Sequence, residues 1–297
     1  MHSALILQGI RRLDFTFTPR AAVAMQAHSG SAWRGAFGHA LKRIVCAMRL
    51  RPCTGCPLAG VCIHPAFFGA NEAAEGSRPY ILCPDRAPPR GILQPGESFR
   101  VRLTLLPGAE AAAAYALRAL LDAAAAGLTA RRIPLDCTAI TDAATGEAID
   151  PGCPLPPPAD LSCPPAPERV RLRFVTPLRI RLAGDLLTGR SLRPGHLVAA
   201  ALRRLRLLGF AIPAELAEAA RSAAGDLAFR EARLGWLETT RFSTRQQSSM
   251  QLGGIVGEAL LDLRGRPATW PLLWAAGILH LGKGASMGFG RIEAEAA

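Results

Sequence analysis

Lysine is nearly missing from this chain: Lys42 and Lys283 stand beside 33 arginines. Positive charge is therefore carried almost wholly by guanidinium groups, which offer a planar fork to phosphate or guanine. Aromatic residues make up only 6% of the sequence, too few for a platform on which successive single-stranded bases stack. Long apolar runs are missing too. The longest, near Trp270–Leu281, falls short of the ~20 residues that a membrane-spanning helix needs. The N-terminus reaches Arg11 and Arg12 after a few apolar residues and has no signal-peptide pattern. The expectation is a cytoplasmic protein without membrane contact. Its eight cysteines are then thiols or metal ligands rather than a disulfide framework.

What is present bounds the fold. Hydrophobic residues form 49% of the 297 positions, enough for packed interiors in two domains of ordinary size. The net charge of +12 is uneven: residues 1–150 carry 16 basic and 11 acidic groups, and residues 169–297 carry 19 and 10. The second half is thus the expected polyanion face, and such a balance points to nucleic acid or an anionic surface.

Ala4–Thr18 reads as a strand, and the turn chemistry of 28–31 follows, with Ser31 a suitable N-cap for a helix from Trp33. Trp33, Phe37, Leu41, Ile44, Val45 and Met48 share one stripe of that helix. The cysteine-rich insertion 46–64 interrupts it. Phe99, Val101, Leu103 and Leu105 alternate with polar residues as in a half-buried strand. Residues 109–126 read as a helix by propensity, and 131–149 as one or two strands. Residues 151–168 contain eight prolines and read as a linker. The second half restarts with a strand over 169–182, a helix over 194–208, a hairpin-like pair around Gly253-Gly254, a helix over 270–281 and a strand over 291–295. The organisation is therefore 1–150, a linker, and 169–297, each an α+β domain with an antiparallel sheet backed by helices.

Gly282-Lys283-Gly284-Ala285-Ser286-Met287-Gly288-Phe289-Gly290 holds four glycines in nine positions. Glycine permits positive φ and close approach, so free amide groups here could cradle phosphate oxygens beside Lys283. Gly277 to Lys283 imitates a nucleotide-binding P-loop. Gly284 stands where that loop needs Ser or Thr, and the helix precedes the loop instead of following it.

A helix running into this segment and a last strand resembles the signature of the RAMP superfamily of CRISPR proteins. Arg241-Phe242-Ser243-Thr244-Arg245-Gln246, then Gly253-Gly254-Ile255-Val256-Gly257, then the glycine segment, look like the C-terminal half of the CRISPR repeat-processing endoribonucleases, the sixth Cas family. Trp33-Arg34-Gly35-Ala36-Phe37-Gly38-His39-Ala40-Leu41 and the cysteines after it are similar to the same family. The resemblance implies two ferredoxin-like domains in tandem that bind CRISPR repeat RNA and cleave precursor RNA to guide RNA. It also implies catalysis without a metal cofactor, by attack of the 2′-hydroxyl to leave a 2′,3′-cyclic phosphate, and association with other Cas subunits.

That reaction needs a base near the 2′-hydroxyl and cations around the phosphorane. His39 is the first choice: helical phase sets it opposite the apolar stripe, with Lys42 and Arg43 on the same outer face. Cationic neighbours bias a histidine toward its neutral form. His28 is the second candidate, while His280 reads as core and His196 as a cap. The only tyrosines, Tyr80 and Tyr115, leave no clear His–Tyr–Lys trio. For RNA, the expected contacts are Arg241, Arg245, Gln246, Gly282, Lys283, Gly284, Ser286, Gly288 and Gly290.

Cys53-x2-Cys56-x5-Cys62 brings three thiols into one short loop, with Cys46, His64 or Cys83 as a fourth donor. A structural zinc would fit such a set, as would an iron–sulfur cluster. Three functions follow: the endoribonuclease, a catalytically silent subunit holding guide RNA in an effector complex, and a metal or iron–sulfur protein centred on these cysteines.

Overall fold

The computed structural model describes residues 5–49, 51–69, 78–128, 131–243 and 248–297. They form two compact units, Gly9–Ala159 and Met1–Gln8 with Asp160–Ala297.

In the N-terminal unit the order is β1 (Ile6–Pro19, which begins in the other unit), β2 (Val23–Ala24), α1 (Gly30–Val45), α2 (Ile63–Phe68), β3 (Tyr80–Pro84), β4 (Ile92–Leu93), β5 (Phe99–Leu105), α3 (Ala113–Ala126) and β6 (Leu135–Asp142); β7 (Ala159–Ser162) then passes into the other unit. The main sheet runs β3-β5-β1-β6 and is antiparallel throughout, with Phe15 opposite both Val101 and Ile140. The alternation expected of β5 holds over its first half and breaks at Thr104: Val101 and Leu103 are buried and Arg100 is exposed, but Thr104 is buried too. Val101 and Leu103 face Trp33, Phe37 and Leu41 of α1 and Ala116 and Leu120 of α3 across one core. Phe17, Trp33 and Phe99 stack in series at 5.1 and 6.4 Å, a contact worth ~0.5–1.5 kcal/mol per pair beyond burial.

The C-terminal unit continues with β8 (Arg169–Leu178), β9 (Arg181–Leu182), β10 (Asp185–Leu186), α4 (Pro194–Leu207), α5 (Ala214–Gly225), β11 (Phe229–Leu237), β12 (Thr240–Ser243), β13 (Ser248–Gln251), β14 (Gly254–Asp262), α6 (Trp270–Leu279) and β15 (Ile292–Ala296). Its sheet runs β11-β14-β8-β15, again antiparallel. Val170, Leu172 and Phe174 of β8 are buried, as are Leu197, Ala201 and Leu205 of α4 and Leu272 and Leu273 of α6. Counted in chain order, both four-stranded paths read 2-3-1-4. This is the ferredoxin-like βαββαβ arrangement, present twice in tandem.

Several elements differ from the sequence reading. α1 starts at Gly30, because the carbonyl of Ser29 accepts the amide of Trp33 at 3.0 Å; Ser31 lies inside the first turn and caps nothing. The proline-rich stretch is not only a linker, since β7 within it pairs with β1. Gly253-Gly254 is not a hairpin turn. The hairpin is β12 with β13; Gly253 lies between β13 and β14, and Gly254 opens β14. His196 does act as a cap: its Nδ1 accepts the amide of Arg193 at 3.1 Å at the start of α4.

Candidate active site and nucleic-acid interface

α1 buries its aromatic stripe and turns His39 outward. His39 and Arg43 are exposed and Lys42 is half-buried, while Ala40 and Leu41 between them face the core. Lys42 and Arg43 occupy the last turn, where cations complement the helix dipole. His28 lies before the helix and is only 8% exposed.

The structure adds a residue that the sequence offered only as a metal donor. His64, on α2, sits against the outer side of α1. One ring N–H donates to the carbonyl of Gly38, and the side chains of Lys42 and His39 are close enough to act on its charge. Its ring stacks on Phe68 at 5.2 Å and 16°, and the guanidinium of Arg34 lies 5.2 Å from the centre of Phe68, a cation–π distance. Gly38 makes this possible. A Cβ there would stand 2.8 Å from the Phe68 ring, so any side chain would push α2 away. The signal in the sequence was glycine one residue before the histidine on the helix's outer face.

Burial pushes the proton affinity of His64 down, and the Lys42 and His39 charges push the same way against the Gly38 hydrogen bond. The unfolded chain therefore takes up this proton first. The group's contribution to stability is complete above the ordinary histidine range, about 6.5, and is lost as pH falls through that range toward the lower folded value. We expect the melting temperature of the N-terminal unit to fall between about pH 7.5 and about pH 5.5. In His64→Tyr, which keeps a ring on Phe68 without the titration, the fall should shrink. An unchanged pH dependence in that variant would dissociate it from His64.

The predicted metal set is not assembled. Among the described residues no group of three or more His, Cys, Asp or Glu side chains could hold a metal ion. Cys53 Sγ meets His64 Nδ1 at 3.5 Å. Cys46, Cys56 and Cys62 line one cavity with Met48, Leu58 and Tyr115, and Cys83 is buried in β3. The spacing brought the thiols into one region without converging their sulfurs. The structural zinc and the iron–sulfur reading lose their ligand set together.

The glycine-rich segment is braced rather than open. Five of its nine amides are committed within the unit. Lys283 donates to Arg179 O (2.8 Å), Met287 and Phe289 to Gly284 O (2.8 and 3.3 Å), Gly288 to Ala285 O (2.9 Å) and Gly290 to Pro177 O (3.0 Å). Thr176 Oγ1 donates to Gly288 O at 2.7 Å, and His280 Nδ1 lies 3.1 Å from Phe289 O. Buried Arg204 donates its Nε to Leu279 O at 3.2 Å where α6 ends, and burial draws its proton affinity down to about 10. Gly284, Ser286, Gly288 and Gly290 are buried, with Ser286 only 2% exposed; Gly282 and Lys283 alone of the segment are exposed. Gly282 and Lys283 are thus the positions of the segment that face outward, while Gly284, Ser286, Gly288 and Gly290 lie within the fold. Arg241 lies in β12, while Arg245 and Gln246 lie outside the described residues.

Residues 172–292 match the family described as CRISPR-associated endoribonuclease Cas6. Residues 7–151 match a second family, described as AF_1859_N, N-terminal domain. No curated protein matches the chain. Among solved structures, a Cas6 product complex is 18% identical with a TM-score of 0.63, covering 96% of this chain and 99% of that one. Thermus thermophilus Cas6 is 16% identical with a TM-score of 0.60, covering 99% and 100%. A RAMP protein binding different RNA substrates is 10% identical with a TM-score of 0.53, covering 96% and 99%. At these identities the structural likeness speaks for the tandem fold. No helix among the described residues is long and apolar enough to cross a membrane.

Proposed function

We propose that this chain, a CRISPR Cas6-type protein, is an endoribonuclease that binds CRISPR repeat RNA and cuts it once, without a metal cofactor, to release guide RNA. The observation that carries this reading is the outward-facing His39 of α1, with Lys42 and Arg43 following it on the helix and His64 close to both His39 and Lys42. His39 takes the proton of a ribose 2′-hydroxyl, and that oxygen attacks the adjacent phosphorus. Lys42 and Arg43 stabilise the charge gathering on the phosphorane. The bond to the 5′ oxygen breaks and that oxygen takes up a proton, leaving a 2′,3′-cyclic phosphate and a 5′-hydroxyl. His64 walls the site behind His39 through Gly38 and Phe68. The test is incubation of labelled repeat RNA from the host's own array in EDTA. One cut with a cyclic phosphate end is the expected result. Tight binding with no cut would instead make the chain a silent subunit that holds guide RNA beside other Cas proteins.

Grip on the RNA is assigned to the more basic C-terminal unit. Lys283 is exposed, with its backbone tied to Arg179, so its ammonium can meet one phosphate while the segment stays folded. Lys283→Ala should weaken binding about equally for all RNA sequences and reduce the slope of log affinity against log salt by about 1. An unchanged salt slope would remove Lys283 from the interface.

A further inference from the structure

β11 is an edge strand of the C-terminal sheet, and Trp236 near its end is 43% exposed. An exposed tryptophan alone asks for no explanation. This one is immobilised in two ways. Its indole Nε1 donates to Glu238 Oε2 at 2.7 Å. Its ring also rests on the backbone of Gly253, where a Cβ would stand 2.3 Å from Nε1 and 2.7 Å from Cε2. From that glycine, hydrogen bonds lead directly to the exposed lysine. Arg179 NH1 donates to Gly253 O at 3.0 Å, and Arg179 O accepts the amide of Lys283 at 2.8 Å. A fixed aromatic ring, an arginine and an exposed lysine are thus joined through two hydrogen bonds.

We infer that Trp236 is a stacking subsite for one unpaired nucleotide of the bound RNA, with Arg179 and Lys283 beside it for the neighbouring phosphates. This rests on the RNA-binding reading above and extends it from the charge of the partner to its form. Bases inside an A-form stem are stacked on one another and cannot offer a face to a side chain, whereas an unpaired base can. A ring already held in place loses little rotamer freedom on binding. One such ring is consistent with the low aromatic content, which disfavours a row of stacked bases and not a single one.

The experiment measures affinity of the full chain for the host's repeat RNA, using wild type, Trp236→Ala, Trp236→Phe and Lys283→Ala, with melting curves to confirm folding. Stacking on one ring is worth ~1–3 kcal/mol, so Trp236→Ala should bind about 5- to 150-fold more weakly and Trp236→Phe should recover most of the loss. An abasic substitution scanned through the unpaired positions should find one that weakens wild type by the same factor and leaves Trp236→Ala unaffected. Equal affinity of Trp236→Ala and wild type, with Lys283→Ala impaired, overturns the subsite and leaves RNA binding standing. Loss in Trp236→Ala that no abasic position reproduces also overturns it. If wild type does not bind repeat RNA at all, the functional reading falls and the subsite with it.

Discussion

His39→Ala is expected to slow cleavage of repeat RNA by about 10²- to 10⁴-fold, the usual contribution of one positioned general base. RNA affinity and melting temperature should stay close to wild type. His39 is exposed on α1, and the residues that hold the helix, Trp33, Phe37 and Leu41, lie on its opposite face. Exposed substitutions of this kind stay within ~0.5 kcal/mol in stability. Single-turnover cleavage with end-group analysis of the products is the measurement. A variant that still cuts at the wild-type rate would move the base to His28, whose burial at 8% exposure would require the loop before α1 to open.

The two elements most legible in the sequence are those with a strong period and one buried face. α1 carries large aromatics at helical spacing, and β5 alternates apolar and charged residues. The elements missed lack that contrast. α5 buries mostly alanines with Leu216, which give a faint stripe. β11 is exposed along most of its length, because an edge strand needs little apolar alternation. β3 is buried at every position, so no period of two is visible in it. α2 is six residues long, too short for periodicity to show.

For the candidate site, the sequence locates residues along the chain and not across it. His64 stands two residues after Cys62 and so read as a metal donor, although it meets only Cys53 of that set, at 3.5 Å, and otherwise Gly38 and Phe68. The glycines of 282–290 read as room for phosphate. Much of that room is filled by the protein itself, since a Cβ at Gly284 would meet the ring of Phe289 at 2.8 Å. Residue type cannot distinguish a glycine that admits a ligand from one that admits its own backbone.

Gly290 offers the sharpest test of that distinction. Its φ is +67°, and a Cβ would lie 1.8 Å from the carbonyl oxygen of Leu281, whose own amide donates to Gly290 O at 3.0 Å. Gly290→Ala therefore adds a left-handed strain of ~1–2 kcal/mol to a backbone overlap that only displacement of Leu281 can relieve. Displacement breaks the Leu281–Gly290 bond and the Gly290–Pro177 bond, each worth ~0.5–1.5 kcal/mol and costing more when a buried group is left unpaired. Against a total stability of ~5–15 kcal/mol, the C-terminal unit should unfold well below the wild-type temperature or fail to accumulate. Gly265→Ala is the control: φ is +74° but nothing lies within 4 Å of the added Cβ, so only the strain of ~1–2 kcal/mol applies. If Gly290→Ala melted like Gly265→Ala and bound RNA less tightly, the segment would be a phosphate cradle after all. Folding lost at Gly290, with RNA binding alone lost at Lys283, would divide the nine residues into a brace and a contact.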